Sequence, residues 1–337
     1  MMVISAHSPC QSAKTSVGAN HVVACVDRSD QAGRIIPHAF TIAQALCAPV
    51  TLLQVLEAQP GQELRPDPIE WDLRRHSARS SLRDLAAAQG DLAEMAKVHL
   101  AEGHTAEEIC RFAYKLQDPL LVLGTQGEHD VGRKCIGGTV HTVLDRARGS
   151  ILLVPGTANT DAAAYKRILI LLDGSPWAES VVPLALRVAR AAEAELILVH
   201  VVPKPELTAP MPLEPEDIEL RRHVVERNEH IASVYLERLR ACLAAEEVPV
   251  RVVLVHGDDV RSTLARLITT EAADLVILSA RGHGGAHASD MRYGNVSNYL
   301  ISHASVPILI VHPPTVVSDP RPVAGNHFMR RAYDRSV

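Results

Sequence analysis

The sequence predicts an α/β protein built from two repeated, doubly wound domains. Three observations support this fold class. Short apolar segments alternate with helix-like segments, the alternating series runs twice along the 337 residues, and matching positions keep a nearly constant separation. Short apolar runs that end in turn residues are typical of buried strands. Strands that alternate with helices indicate right-handed parallel crossovers, and therefore a parallel sheet with helices on both faces.

The first half contains five predicted strands. One ends on Asp27, and Ser29 or Asp30 is placed to cap the helix that follows it. Thr105, with Glu108 three residues later, has the spacing of a capping box. The predicted strands are 21–27, 50–56, 98–101, 120–123 and 151–154, and the predicted helices are 29–47, 64–93, 105–116 and 138–148.

The series restarts in the second half. Strands are predicted at 168–173, 195–202, 250–255, 275–278 and 308–311. Helices are predicted at 218–245 and 259–272, and two more are predicted to begin after Ser175 and after Gly294. Asp27 and Asp173 are 146 positions apart, as are Val55 and Val201, and Gly137 and Gly294 are 157 apart. A register that drifts so little indicates an internal duplication, with the length changes in loops.

These boundaries predict an N-terminal arm at 1–20, domain 1 at 21–156, a linker at 157–165, domain 2 at 166–313 and a C-terminal tail at 314–337. The last strands, 151–154 and 308–311, are apolar with no evident cover, so we expect them to pair with each other. The halves then form an intramolecular pseudo-dimer, and a homodimer of whole chains stays possible.

Composition excludes several classes of function. A net charge of −5 argues against a general nucleic-acid binder, and 3% aromatic residues argue against base stacking on single strands. No apolar run approaches the length of a membrane span. Six cysteines lie scattered without paired spacing, which favours a reduced, cytoplasmic protein.

A glycine-rich segment follows the fourth strand. Gly124 ends that strand, Gly127 follows, and nine residues later Gly137, Gly138 and Thr139 open a helix at Val140. Glycines let a backbone approach a phosphate, and the free N–H groups of a helix start point at the anion. An ordinary loop is the alternative for a glycine pattern considered alone. The second half repeats the segment with Ser279, Gly282, eleven residues, and then Gly294, Asn295, Val296 and Ser297.

With these motifs the chain resembles the universal stress protein family in its tandem form. The similarity rests on strands that end in Asp27 and in Asp173-Gly174-Ser175, and on the duplicated glycine pattern. The resemblance implies a five-stranded parallel sheet in each domain, an adenine-nucleotide alpha-hydrolase-like fold, pairing of the domains through the last strand and, in one branch of the family, bound ATP.

The resemblance also implies site residues. Asp27 would lie beside the adenine and ribose or help the phosphates hold Mg2+, Cys25 and Val55 would line the adenine pocket, and the glycine segment from Gly124 to Val140 would hold the triphosphate. Asp27 as a simple helix cap and the other two as ordinary core residues are the alternatives. The possible second site comprises Asp173, Val201, Ser279, Gly282, Gly294, Asn295, Val296 and Ser297.

Three functions remain open. The first is a cytosolic ATP-binding stress or regulatory protein with slow or no hydrolysis, because the sequence has no Gly-x4-Gly-Lys-Ser/Thr motif. The second is a binding or scaffold protein that senses another ligand, with protein partners that the sequence does not identify. The third is an adenylating enzyme, whose usual additional motifs are missing. Ser279 and the longer second loop predict one tightly bound nucleotide per chain, in domain 1.

Overall fold

The structure, a computed structural model, describes residues 19–29, 31–57, 67–125, 136–158, 164–204, 215–282 and 293–312. The first half alternates strands and helices in the predicted order. Its strands are β1 (His21–Cys25), β2 (Val50–Leu56), β3 (Ala96–Glu102), β4 (Pro119–Gly124) and β5 (Ser150–Val154). Its helices are α1 (Ala32–Leu46), α2 (Pro68–Ala87), α3 (Thr105–Tyr114) and α4 (Gly138–Arg146), with a 3-10 turn at Gly90–Met95.

The second half repeats this order with one helix broken in two. Its strands are β6 (Arg167–Leu171), β7 (Glu195–Pro203), β8 (Val250–Gly257), β9 (Leu275–Ser279) and β10 (Ile308–Val311). Its helices are α5 (Pro176–Glu179), α6 (Val182–Ala192), α7 (Pro215–Leu243), α8 (Val260–Thr270) and α9 (Asn295–His303), with a 3-10 turn at Ala244–Glu246. Pro37 lies inside α1, whereas its counterpart Pro183 lies in the first turn of α6, where a proline removes no hydrogen bond.

The ten strands in the described part of the chain belong to one sheet, in the order β3-β2-β1-β4-β5-β10-β9-β6-β7-β8. Within each half every pairing is parallel, which confirms the doubly wound fold class. The halves meet through an antiparallel pair in which Leu152 of β5 is opposite Leu309 of β10. This pair confirms the expected pairing of the last strands. Both leucines are fully buried in it.

The core lies on both faces of this sheet. In β1 Val22 and Ala24 belong to the cluster on one face, whereas Val23 and Cys25 belong to the cluster on the other. Because successive side chains point to opposite faces and helices cover both, such strands are apolar throughout. This explains why the predicted strands are continuous apolar runs.

The two halves are also tied together outside the sheet. Helices α1 and α6 pack against each other across the junction. There the guanidinium Nη2 of Arg187 donates to the carbonyl of Leu46 at 2.6 Å. A hydrogen bond of 2.8 Å joins Nδ1 of His38 to the hydroxyl of Tyr165, and both side chains are buried. The junction is therefore a packed interface with buried polar contacts.

Two predicted helix caps are wrong. Thr105 is the first residue of α3 rather than its cap, and its N–H donates to the carboxylate of Glu57, which lies 48 residues earlier. Helix α1 begins after Gln31, without a side-chain cap, and Asp30 lies outside the described residues. The predicted cap at Ser175 is confirmed, since its hydroxyl accepts from the N–H of Ala178 at 3.1 Å.

Candidate functional site

The candidate site of the first half lies where the strand order reverses. Strand β1 is between β2 and β4, and the carboxyl ends of β1 and β4 lie side by side. Asp27 follows the first of these strands, half-buried, and Gly124 ends the second, also half-buried. In open α/β sheets, ligands bind at such a switch point, outside the carboxyl ends of the strands.

The glycine-rich loop is closed at its base by backbone hydrogen bonds. The N–H of Thr125 donates to the carbonyl of Val154, and the N–H of Gly137 donates to the carbonyl of Thr125, each at 3.0 Å. Gly127 falls outside the described residues. In the second half Ala280 and Gly294 are joined by the equivalent 3.0 Å bond. The two loops therefore start and end alike, and their difference in length falls between these anchors.

The N-terminus of α4 opens to solvent. Its cap residue, Gly137, provides no side-chain hydrogen bond, and Gly138 and Thr139 are exposed, whereas Val140 is buried. A Cβ atom built on Gly138 would meet no heavy atom within 4 Å. Unpaired N–H groups at a helix start, together with the helix dipole, favour a bound anion. The space beside Gly138 is therefore suited to a phosphate group.

A cavity of about 380 Å3 lies beside this helix start. This volume falls within the range of small-molecule sites, roughly 300–1,000 Å3. The residues that line it are Glu57, His104, Thr105, Ala106, Glu107, Gly138, Thr139, Thr142 and Arg146. Only Gly138 and Thr139 were predicted from the sequence. Glu57 could have been found, because it directly follows β2 at the same edge of the sheet.

Both predicted aspartates organise the turn that follows their strand. Oδ1 of Asp27 accepts from the N–H of Ser29 at 3.0 Å, and Oδ1 of Asp173 accepts from the N–H of Ser175 at 2.9 Å. Each carboxylate thus forms a turn with the residue two positions on rather than capping the next helix, because α1 begins after Gln31 and α5 is capped by Ser175.

The predicted adenine-pocket residues lie on neighbouring strands. Cys25 is buried beside Cys110, and burial raises the pKa of its thiol well above the usual range, so the side chain stays neutral. Val55 is half-buried near the end of β2, opposite Ala101. Val201, its counterpart, is buried. Packing alone accounts for these residue types, and Val55 is the most accessible of them.

In the second half, the serine hydroxyl groups of the loop and of the helix start form hydrogen bonds within the protein. Ser297 is buried, and its hydroxyl donates to the carbonyl of Ser279 at 3.3 Å. The hydroxyl of Ser279 accepts from the N–H of Arg281 at 3.4 Å. Asn295 is exposed and Val296 is half-buried. Thr139 therefore has no exposed hydroxyl counterpart at the start of α9.

In the second half, the strand-end acid lies directly on the loop. A Cβ atom added to Gly282 would overlap Oδ2 of Asp173, so the end of this carboxylate would have to move to admit a side chain there. His200 lies nearby, with Nδ1 2.9 Å from the carbonyl of Leu172. Burial lowers the pKa of His200, an effect that this carbonyl and the Asp173 carboxylate oppose. His200 was not among the site residues predicted from the sequence.

The described residues contain neither a cluster of metal-binding side chains nor a helix suited to a membrane. Across the described ranges, three or more His, Cys, Asp or Glu side chains nowhere converge to hold a metal ion. Among the helices in that part of the chain, none has the length and apolar character needed to cross a membrane.

The model of the universal stress protein family matches the chain twice, at residues 18–155 and 164–312. A universal stress protein from Mycolicibacterium smegmatis is 27% identical over 197 residues, which cover 58% of this chain and 62% of that protein. One from Methanocaldococcus jannaschii is 28% identical over 137 residues, covering 40% of this chain and 80% of that protein. The first alignment thus spans less than two thirds of its relative.

Solved structures show the same architecture. A universal stress protein from Archaeoglobus fulgidus DSM 4304 superimposes with a TM-score of 0.63 at 16% identity, covering 88% of this chain and 99% of that one. A functionally unknown protein from Pseudomonas aeruginosa PAO1 gives 0.59 at 14% identity, with coverages of 88% and 93%. At these identities the similarity concerns the fold.

Proposed function

Because this chain belongs to the universal stress protein family, we propose that it is a cytosolic stress-response or regulatory protein that binds ATP with Mg2+. In this proposal the first half holds the nucleotide, and hydrolysis is slow or absent. The observation that carries the proposal is the cavity beside α4, where exposed Gly138 and Thr139 line a space of ligand size.

In this proposal, different residues of the first half would contact different parts of the nucleotide. The N–H groups at the start of α4, from Gly138 to Val140, face the position of the phosphates, and the hydroxyl of Thr139 adds a donor. The base would lie toward Val55 at the end of β2, with Asp27 at the mouth of the crevice. Mg2+, when bound, would neutralise phosphate charge.

Slow or absent hydrolysis follows from the chemistry that the sequence offers. The chain has no Gly-x4-Gly-Lys-Ser/Thr motif to place a lysine on the terminal phosphates. The Asp27 carboxylate already accepts hydrogen bonds from Ser29, so it is engaged in its own turn. Binding without rapid turnover suits a protein in which ATP acts as a signal or structural ligand.

A preference for the first half is supported by the state of the second. There, the hydroxyls of Ser279 and Ser297 are buried and hydrogen-bonded within the protein. The Asp173 carboxylate lies against Gly282, the counterpart of Gly127, and so occupies space beside the loop backbone that a phosphate would have to approach. These contacts also support the alternative function, in which the protein senses a ligand other than a nucleotide.

The direct test is native mass spectrometry of the purified protein, followed by titration calorimetry with ATP and Mg2+. We expect one nucleotide per chain. Gly138→Val fills the open space beside the helix start, so it should weaken ATP binding at least about tenfold, through loss of a charge-assisted hydrogen bond or a clash. Asn295→Val is the matched control at the equivalent position of the second half, and it should leave the affinity unchanged.

Other outcomes would contradict parts of the proposal. Failure of the wild-type protein to bind ATP, at any concentration used, would favour the alternative ligand. Two equivalent nucleotides per chain would contradict the preference for the first half. A larger loss of affinity in Asn295→Val than in Gly138→Val would place the nucleotide in the second half.

A further inference from the structure

We propose that Glu57 makes the first-half site selective for nucleotides that carry free ribose hydroxyl groups. The inference rests on the proposed function, because it concerns the ligand of the same cavity. It assigns to Glu57 a specificity role: its carboxylate accepts hydrogen bonds from the ribose, and ribonucleotides are therefore preferred over deoxyribonucleotides.

The position of Glu57 is the first argument. The residue directly follows β2, whose neighbour β1 ends at the switch point. It lines the same cavity as Gly138 and Thr139, the residues at the helix start where a phosphate would be held. In the proposed orientation, with the phosphates at this helix start and the base toward Val55, the ligand would pass Glu57, which lies two residues after Val55. The ribose is the part of a nucleotide that occupies this middle position.

The chemistry of the carboxylate is the second argument. An ionised Glu only accepts hydrogen bonds, and its two oxygens offer several acceptor positions. A phosphate is mostly deprotonated near neutral pH and carries the same sign of charge as Glu57, whereas each ribose hydroxyl is a donor. In dinucleotide-binding folds, an acid that follows the second strand accepts a hydrogen bond from a ribose hydroxyl for the same reason. Glu57 therefore favours the sugar over the phosphates.

The carboxylate is held in place by the protein. The backbone N–H of Thr105, at the start of α3, donates to Oε1 of Glu57. A helix N-terminus stabilises a negative charge, so the start of α3 favours a carboxylate at this position and orients it without a ligand. An acceptor fixed in this way loses little side-chain entropy when a ligand binds.

The second half provides an internal comparison. Asp27 and Asp173 are 146 positions apart, and the same offset carries Glu57 to Pro203, which has no acceptor side chain. In that half the helix corresponding to α3 is capped by its own residue, since the carboxylate of Asp259 accepts from the N–H of Arg261 at 3.2 Å. An acid at the end of the second strand is thus present in the half that is proposed to bind ATP, and it is replaced by proline in the other half.

The test compares the affinities for ATP, 2′-deoxy-ATP and 3′-deoxy-ATP by titration calorimetry. For the wild-type protein we expect at least one deoxy analogue to bind about tenfold more weakly than ATP, the effect of one charge-assisted hydrogen bond. Glu57→Ala should reduce this ratio to about one. Glu57→Gln keeps an acceptor for the N–H of Thr105 and should lower the ratio while preserving the thermal unfolding midpoint.

Glu107→Gln is the matched control. Glu107 is an exposed acid that lines the same cavity, but it lies in the first turn of α3 rather than at the end of a strand. This variant removes the same charge and should leave the ratio between ATP and its deoxy analogues as in the wild type. A general electrostatic effect would change both variants alike and would overturn the inference.

The failures of the two proposals are distinguishable. If the wild-type protein binds no ATP, the proposed function fails. If it binds ATP and both deoxy analogues equally, the proposed function stands and the inference about Glu57 is overturned. A preference for ATP that persists in Glu57→Ala and Glu57→Gln also overturns it, because Glu57 would then serve only to cap α3.

Discussion

Acid should destabilise the junction between the halves through one buried histidine. His38 is 1% exposed and lies in α1, with Nδ1 2.8 Å from the hydroxyl of Tyr165, which precedes β6. Burial lowers the pKa of His38 from its ordinary value of 6.5 to about 4. The folded protein therefore holds this ring neutral at pH values at which the unfolded chain protonates it.

The magnitude follows from linkage between protonation and folding. A depressed histidine pKa gives stability that is fully present above pH 6.5 and is lost as the pH falls toward 4. With about 1.36 kcal/mol for each pKa unit, the loss attributable to His38 is about 2 kcal/mol at pH 5 and about 3 kcal/mol at pH 4. Losses of this size are a substantial part of the stability of an ordinary domain.

The assay is urea unfolding at pH 7.5, 6, 5 and 4, with His38→Gln as the reference. Glutamine keeps hydrogen-bonding capacity and does not titrate, so subtracting its curve removes the contribution of carboxylates common to both proteins. The wild-type protein should lose about 3 kcal/mol more than His38→Gln between pH 7.5 and pH 4. Parallel pH dependences in the two proteins would refute the reasoning.

Three further predictions concern single positions. Gly149 has a φ angle of +90°, and an added Cβ would overlap the carbonyl of Pro119, so Gly149→Ala should cost at least about 2 kcal/mol in urea unfolding. Asp259→Ala removes the cap of α8 and should cost about 1 kcal/mol by the same measurement, whereas no loss would show that the cap is dispensable. Iodoacetamide should label exposed Cys47 in the native protein and leave Cys25 unlabelled, because burial raises the pKa of the Cys25 thiol; rapid labelling of Cys25 would contradict its burial.

The fold could be predicted from the sequence because its evidence is local and repeated. Strands covered on both faces need continuous apolar runs, and such runs are recognisable without coordinates. The pairing of 151–154 with 308–311 was predictable for a related reason. An uncovered apolar edge strand is unfavourable, and each of these strands provides the partner that the other lacks.

The helix caps show where local reasoning ends. The spacing of Thr105 and Glu108 satisfies the capping pattern, but Glu57 supplies the acceptor for the N–H of Thr105 from a distant part of the chain. Glu108 forms an ion pair with Arg111 instead. Which acceptor reaches a helix start depends on the packing of strand against helix, and this information is absent from the local sequence.

Only part of the candidate site could be predicted, because the sequence indicates the strand topology but not the packing of the helices. Strand topology places Asp27 and the start of α4 at one edge of the sheet, so their proximity needs no coordinates. The lining by His104 and Arg146 depends on how α3 and α4 pack together, which the sequence does not specify. Ser297 shows a contact that spacing does not predict, because its hydroxyl donates to the carbonyl of Ser279, 18 residues earlier.

The antiparallel pairing of β5 with β10 has a consequence for how the chain meets its partners. Since each half is parallel internally, the strands of the first half all run opposite to those of the second. The two crevices therefore open at opposite poles of one continuous sheet. A single small ligand cannot bridge them, and a change in one crevice can reach the other only through the strands between them and the packed helices α1 and α6. A partner protein that contacts both crevices must therefore extend across the sheet, whereas a partner that contacts a single crevice touches one half only.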